Sequence, residues 1–387
     1  MTLRFVIIGG GPAGVQAAMT GARLGAEVTL IERDIVGGAA HLWDCIPSKA
    51  MIATGDALDQ IDEAASMGLV AATSTVDTEQ LRLRITGITD QLERQTVELL
   101  TSQGVEIVRG AGRLIDPHTV AVSGPDGDRT FEADAVMVST GSRPRLPEWA
   151  HVDGRRVLTT RDAYPPPVLP EHLVVIGSGV TGVEFVHLFS SLGSQVTLVV
   201  SRNLVLPGKD PEVAAVLEAD FVRRGVQLLK GARASGIDVA DDGVVVHCDD
   251  GRAVSASHAL VAIGSVPNTE GLSLEAAGVD LDGSWIGSVD HHMRTNVPHI
   301  YVAGDVSGKL PLSSVATMQG RKIAEHVMGL HKVGHRHLDY EKAASAIFTD
   351  PEIADVGLAE ADAFAEGRKV RVTKVPFAST AKALING

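Results

Sequence analysis

One pattern of apolar and polar positions occurs twice along this chain. Residues 5–33, FVIIGGGPAGVQAAMTGARLGAEVTLIER, open on an apolar run and pass through a cluster of glycines. A stretch with helical spacing follows, and a second apolar run closes the unit. Residues 173–202, LVVIGSGVTGVEFVHLFSSLGSQVTLVVSR, do the same. The shift is constant at 168 positions, taking Gly9, Gly11 and Gly14 onto Gly177, Gly179 and Gly182, and Val28 onto Val196. Each copy predicts strand, tight turn, helix and strand, a βαβ unit whose G-x-G-x-x-G spacing suits a dinucleotide. The first glycine permits the turn, and the second lets backbone N–H groups approach a pyrophosphate. The third lets helix and strand pack closely, and the positive helix N-terminus faces the phosphates. A single such spacing can arise from packing alone. Two copies in the same strand–turn–helix context point to two bound nucleotides.

The copies differ where the second strand ends. The first carries Glu32, eighteen residues after Gly14, where a carboxylate can accept hydrogen bonds from ribose hydroxyls. At the matching place the second has Val200, followed by Ser201 and Arg202. A carboxylate would repel a 2′-phosphate, whereas serine and arginine can bind one. The second site therefore leans toward NADPH, with NADH left open.

Other runs set the layout. The proline-rich AYPPPVLPEH, residues 163–172, precedes the second unit as a natural domain entry. Apolar strands ending in small turns are expected within 135–147 and 259–272, and strand, Gly-Asp turn and helix within 300–321. The last segment, from residue 346 on, reads as strand, helix, strand. HKVGHRH, residues 331–337, reads as a solvated surface turn in preference to a metal site.

Composition narrows the partners. The chain has 387 residues, long enough for two or three domains. A formal charge of −14 argues against a nucleic acid or an anionic membrane surface, both of which need a basic patch. No apolar run has the length of a membrane span, and the N-terminus reads as a first strand with no signal peptide. Two cysteines, Cys45 and Cys248, build no disulfide framework, so a cytoplasmic location is expected.

With these motifs in place, the chain resembles the pyridine nucleotide–disulfide oxidoreductases, the family of dihydrolipoamide dehydrogenase and glutathione reductase. The motifs that carry the resemblance are GGGPAG with Glu32, CIPSK, STGSRP, GSGVTGVEF, AIGSVPNT, YVAGD and FTDPEIADVG, in that order. Its double alanine before the cysteine resembles the members that are NAD(P)H–quinone reductases. The resemblance implies an α/β fold with two Rossmann-like domains and a partial α+β dimerisation domain. The FAD domain would be split into residues 1–150 and 267–337, with an NAD(P) domain inserted at 151–266 and the dimerisation segment at 338–387.

The resemblance also implies the site residues. Gly9, Gly11, Pro12, Ala13 and Gly14 would hold the FAD pyrophosphate, Glu32 and Arg33 would lie at the adenosine ribose, and Asp305 after Gly304 would bind the ribityl chain. Gly38, Ala39, Gly112, Ser139, Thr140 and Gly141 would line the same cofactor. Ser313 would begin a helix aimed at the flavin C2 carbonyl. Gly177, Ser178, Gly179, Val180, Thr181 and Gly182 would hold NADPH or NADH, with Val200, Ser201 and Arg202 at its ribose. Ala262, Ile263, Gly264 and Ser265 would form the loop beside the nicotinamide nucleotide. Lys49 and Glu184 would pair near flavin N5, the lysine favouring the negative charge that arrives with a hydride.

GGAAHLWDCIPSK, residues 37–49, holds half of the family's redox motif. Relatives that reduce disulfides carry C-x-x-x-x-C; here the second cysteine is Cys45 and the first is Ala40. The thiol relay is cut at its outer step, and Cys248 lies in a strand pattern far along the chain. The family's C-terminal histidine base has no counterpart, because the chain ends at Gly387 inside the dimerisation segment. That leaves both a fragment and a functional short form open, and puts the family's homodimer in doubt. The leading reading is an FAD-dependent NAD(P)H oxidoreductase with Cys45 against the flavin and a small quinone-like acceptor; His41 or Trp43 is a candidate for the acceptor face, against ordinary loop packing. Two alternatives stand beside it: a dihydrolipoamide dehydrogenase or disulfide reductase working through Cys45 alone, and a flavoprotein fragment without catalysis.

Overall fold

The computed structural model describes residues 2–70, 74–330 and 338–386. The histidine-rich 331–337 lies outside the described residues. Strands Arg4–Ile8 and Glu27–Glu32 pair in parallel, joined by helix α1, Pro12–Arg23. They form the middle of a five-stranded parallel sheet in the order Ile300–Val302, Ala135–Val138, Arg4–Ile8, Glu27–Glu32, Glu106–Arg109. The inner strands are apolar on both faces because both faces are covered, as parallel sheets require.

A second sheet repeats this plan, in the order Val157–Thr159, His258–Val261, His172–Ile176, Gln195–Val200, Gln227–Lys230, again all parallel. Even the pairing register is shared. Arg4 lies opposite Glu27 in the first sheet and His172 opposite Gln195 in the second, each partner shifted by the same 168 positions. A three-stranded antiparallel sheet accompanies each: 111–116 with 119–123 and 129–132, then 234–240 with 243–248 and 253–256.

The remaining helices are α2, Gly38–Leu42; α3, Cys45–Glu63; α4, Thr78–Ser102; α5, Val180–Ser191; α6, Pro211–Arg223; α7, Ser313–Val327; α8, Glu360–Ala365; and α9, Ala381–Asn386. None of the described helices is long and apolar enough to cross a membrane. Local chemistry sets their starts. Asp77, for example, accepts from the N–H groups of Glu79 and Gln80, both at 3.0 Å, and so begins α4.

One core crosses from the first nucleotide unit to the second. Met51 and Ile52 of α3 and Leu81 and Ile85 of α4 pack with Phe185, Leu188 and Phe189 of α5, and Ile347 and Ile353 of the C-terminal segment join them. Burying large apolar side chains at roughly 1.5–3 kcal/mol each gives this seam enough free energy to hold α3 against α5.

The last segment departs from the expected strand, helix, strand. Ser345–Ile347 and Ile353–Asp355 make a short antiparallel pair and α8 follows, but residues 369–376 form no strand. A strand needs a neighbour for its N–H and C=O groups. Among the described residues this stretch has none, and Val370, Val372 and Val375 stay exposed.

Candidate active site

The groove at the first glycine turn is cut to backbone dimensions. Gly9 has φ +108, and a Cβ on Gly14 would lie 1.9 Å from the Gly9 carbonyl oxygen, so neither position admits a side chain. Gly11 precedes α1 in extended conformation; no side chain caps the helix, and Pro12, Ala13 and Gly14 bring no acid into its first turn. The end of α1 is therefore left for an anion. Glu32 is buried and accepts from the N–H groups of Gly10 at 2.6 Å and Asp34 at 2.8 Å. It braces the glycine turn itself, and burial pushes its carboxyl up. Arg33 stays exposed beside Asp34.

Most of the other residues expected at FAD gather around this groove. A Cβ on Gly38 would lie 2.9 Å from Gly11 Cα, so the start of α2, with Ala39, rests on the glycine turn. Gly112 lies against Ile8 and Ile31 at the ends of the first two strands. The Ser139 hydroxyl donates to the Gly9 carbonyl at 2.9 Å. Thr140 and Asn268 exchange hydrogen bonds at 2.7 and 2.8 Å. Gly141, with φ +69, turns the chain toward Ser142, whose hydroxyl donates to Asp305 at 2.8 Å. Gly304 N–H donates to the buried Gln319 at 2.7 Å, and burial pushes the Asp305 carboxyl up. An uncapped helix end, a carboxylate at the end of the second strand and a second enclosed carboxylate together suit an elongated dinucleotide such as FAD.

The redox helix reaches the second nucleotide unit. Lys49 Nζ on α3 lies 3.2 Å from a carboxylate oxygen of Glu184 on α5. The other Glu184 oxygen accepts the Phe348 N–H at 2.9 Å, and the Phe348 ring lies under Lys49 Nζ at 4.5 Å. Three parts of the chain thus meet at one ion pair. Further along the same two helices, His187 Nε2 lies 3.3 Å from Asp56, and its Nδ1 accepts from Arg224 at 2.9 Å. Ser191 donates to Asp59 at 2.7 Å.

Cys45 opens α3, and Ser313 stands near its thiol at the start of α7. Burial outweighs the nearby Lys49 charge and pushes the thiol up, so it stays protonated near neutrality. Cys248 is buried on strand Gly243–Cys248 of the other unit's antiparallel sheet. His41 packs on Gly37, as loop packing implies.

The second glycine turn copies the first: Gly177 has φ +113, and a Cβ on Gly182 would lie 1.8 Å from the Gly177 carbonyl oxygen. Gly179 precedes an uncapped α5, with Val180 and Thr181 exposed and Ser178 buried. Ser201 and Arg202 are exposed beyond the second strand. Val200, like Glu32 the last residue of its strand, has its side chain buried, here in the apolar core. Ala262 is buried, and Ile263, Gly264 and Ser265 continue past the end of the neighbouring strand, with Gly264 exposed.

Four groups here escaped the sequence reading. Phe348 is one. Arg161, in the short turn Thr160–Asp162, stacks on Trp43 at 4.3 Å and donates to the Ser142 carbonyl at 3.2 Å. Tyr164 stacks on Phe185 at 5.0 Å, with Ser48 near its hydroxyl. Asp44, next to Cys45, faces Arg161, Lys49 and Asp305. The WDC run drew attention only to its tryptophan and cysteine, and the other contacts join distant segments.

A family model described as pyridine nucleotide–disulphide oxidoreductase matches residues 3–320, and its dimerisation domain matches residues 343–387. An NAD(P)H dehydrogenase (quinone) of Mycobacterium tuberculosis is 41% identical over 395 residues, covering 99% of this chain and 80% of the relative. A dihydrolipoyl dehydrogenase of Bacillus subtilis is 34% identical over 389 residues, covering 100% of this chain and 83% of the relative. Among solved structures, LpdA of M. tuberculosis superposes with a TM-score of 0.93 at 40% identity, covering 100% of this chain and 84% of that one. The flavoprotein disulfide reductase RclA of Escherichia coli shares the fold, with a TM-score of 0.85 at 24% identity over 99% of this chain and 84% of that one.

Proposed function

The chain belongs to the pyridine nucleotide–disulphide oxidoreductases and is an FAD-dependent NAD(P)H oxidoreductase; from that premise we propose that its electrons pass to a small quinone-type acceptor and not to a disulfide. The observation that carries this reading is Cys45 standing alone, with Ala40 where relatives place the exchanging thiol. A half-buried thiol held protonated is a poor nucleophile. The quinone activity in the name of the relative at 41% identity supports the same acceptor.

Bound FAD supplies the chemistry of taking a hydride and releasing electrons. The first glycine turn and Asp305 hold it along the groove. Lys49 sets a positive charge where negative charge develops, and Glu184 orients Lys49. The second glycine turn holds the NAD(P)H pyrophosphate, and Ser201 with Arg202 favours NADPH through its 2′-phosphate. We place the protein in the cytoplasm, where two free cysteines stay reduced. A homodimer fits the match to the dimerisation domain, and exposed Phe364, Phe377, Leu384 and Ile385 are surface for a second copy to cover.

Anaerobic titration with NADPH, following the flavin spectrum, tests the reading. Bleaching with about one equivalent per FAD is expected, because flavin is then the sole two-electron centre. Consumption of about two equivalents, with a long-wavelength thiolate–flavin band between them, would overturn it.

A further inference from the structure

The ribose of a bound dinucleotide belongs at the end of the second strand of a βαβ unit, and the two units build that place differently. In the first, Glu32 ends the strand and its carboxylate braces the glycine turn. In the second, Val200 ends the strand, and Ser201 and Arg202 follow, both exposed. The carboxylate brace is gone from that position. Arg202 can meet a phosphate only if the chain on either side of it is fixed by something else.

A carboxylate from another element does this. Glu218 lies on α6, buried, and one of its oxygens accepts the Val205 N–H at 2.9 Å. The other accepts from Lys230 Nζ at 2.7 Å. Lys230 ends the strand Gln227–Lys230, and the next N–H, that of Gly231, donates to the Arg202 carbonyl at 3.2 Å. One side chain thus ties the loop just after Arg202 to the strand end that holds Arg202 itself.

The loop so fixed is tightly folded. Val205 and Leu206 are buried in the core that α6 shares. Leu206 has φ +49, a left-handed conformation that a leucine keeps only where its surroundings hold it. Its N–H donates at 2.8 Å to the carbonyl of Ser178 in the second glycine turn, and the Lys209 N–H closes the bend on the Leu206 carbonyl at 2.9 Å. Loop and glycine turn therefore form one unit. Without Glu218 the buried Val205 N–H loses its acceptor, and an unpaired buried donor costs more than its bond contributes. The bend would open, and the chain at Arg202 would lose its fixed path.

We infer that Glu218 is a positioning residue for Arg202, and through it a determinant of the choice of NADPH over NADH. Its charge is buried and paired with Lys230, so the brace sets no exposed carboxylate against a 2′-phosphate. This inference rests on the reading that Arg202 meets that phosphate.

The test compares the FAD-loaded wild type with Glu218→Leu, Glu218→Gln, Arg202→Ala and the double variant of Arg202→Ala with Glu218→Leu. Each is reduced by NADPH or NADH in a stopped-flow titration. In Glu218→Leu the affinity for NADPH relative to NADH should fall about tenfold, as in Arg202→Ala, while the limiting rate of flavin reduction is kept. Glu218→Gln should recover most of the preference, because its amide oxygen still accepts the Val205 N–H and the part-exposed Lys230 can turn to water. In the Arg202→Ala background, Glu218→Leu should cost no further preference, since both act through one guanidinium. An unchanged preference in Glu218→Leu, beside a fall in Arg202→Ala, would overturn the inference and leave the NADPH reading standing. A further fall in the double variant would overturn it by making the two residues independent. Equal weakening of both nucleotides, loss of FAD or failure to fold would overturn it by assigning Glu218 to the general stability of the domain. An unchanged preference in Arg202→Ala overturns the NADPH reading and the inference together.

Discussion

Lys49 and Glu184 meet at 3.2 Å although 135 residues separate them in sequence. The pair joins the helix that starts at Cys45 to the helix of the second glycine turn, so it lies where two bound nucleotides would face each other. Lys49→Met should slow flavin reduction by NADPH about 10²-fold, since it removes a charge aimed at the developing negative charge. NADPH affinity should change little. Stopped-flow reduction against a titrated dissociation constant separates the two.

Cys45→Ser should leave quinone reduction intact, since a thiol held protonated acts by contact and not by exchange. Alkylation of the wild type should be slow near neutrality and accelerate only as pH rises above the ordinary thiol range, because burial pushes this thiol up. Loss of quinone turnover in the serine variant would show a thiol relay after all.

Arg202→Ala tests the second nucleotide site. Removing an exposed cation at the ribose end should lower kcat/KM for NADPH about tenfold and leave NADH nearly unchanged. Comparing the two reductants in one assay reads the ratio directly.

His187 predicts a pH dependence of stability. Burial, with the Arg224 charge, holds its folded value below the ordinary histidine range. The unfolded chain therefore binds a proton first as pH falls. The contribution is fully present above about pH 6.5 and is lost progressively below it, as the folded form resists protonation. His187→Gln should flatten the decline in melting temperature between neutral pH and about pH 5, measured against the wild type.

The repeat in the sequence was a reliable guide because glycine spacing is a backbone property. Gly9 and Gly177 adopt φ +108 and +113, and each turn tolerates no side chain at its third glycine. Side-chain direction was harder to read. Val200 ends its strand at the same register as Glu32 and is buried like it, but its apolar side chain packs in the core where Glu32 accepts from the glycine turn. His41 packs on Gly37, in line with ordinary loop packing. Contacts across domains left no local trace: nothing near Phe348 signals that its N–H closes on Glu184, and Arg161 has no motif that ties it to Trp43. The strand expected near Val372 has the right alternation and, among the described residues, no neighbour to pair with.

The bond from the Phe348 N–H to Glu184 makes two equilibria one problem. The C-terminal segment docks on the same carboxylate that orients Lys49. Were a nucleotide to bind beside the pair, whatever steadies that segment, a second copy included, would shift the free energy of that binding. By reciprocity, the nucleotide would strengthen the docking of the segment to the same extent. Assembly and cofactor occupancy would then be linked through one carboxylate.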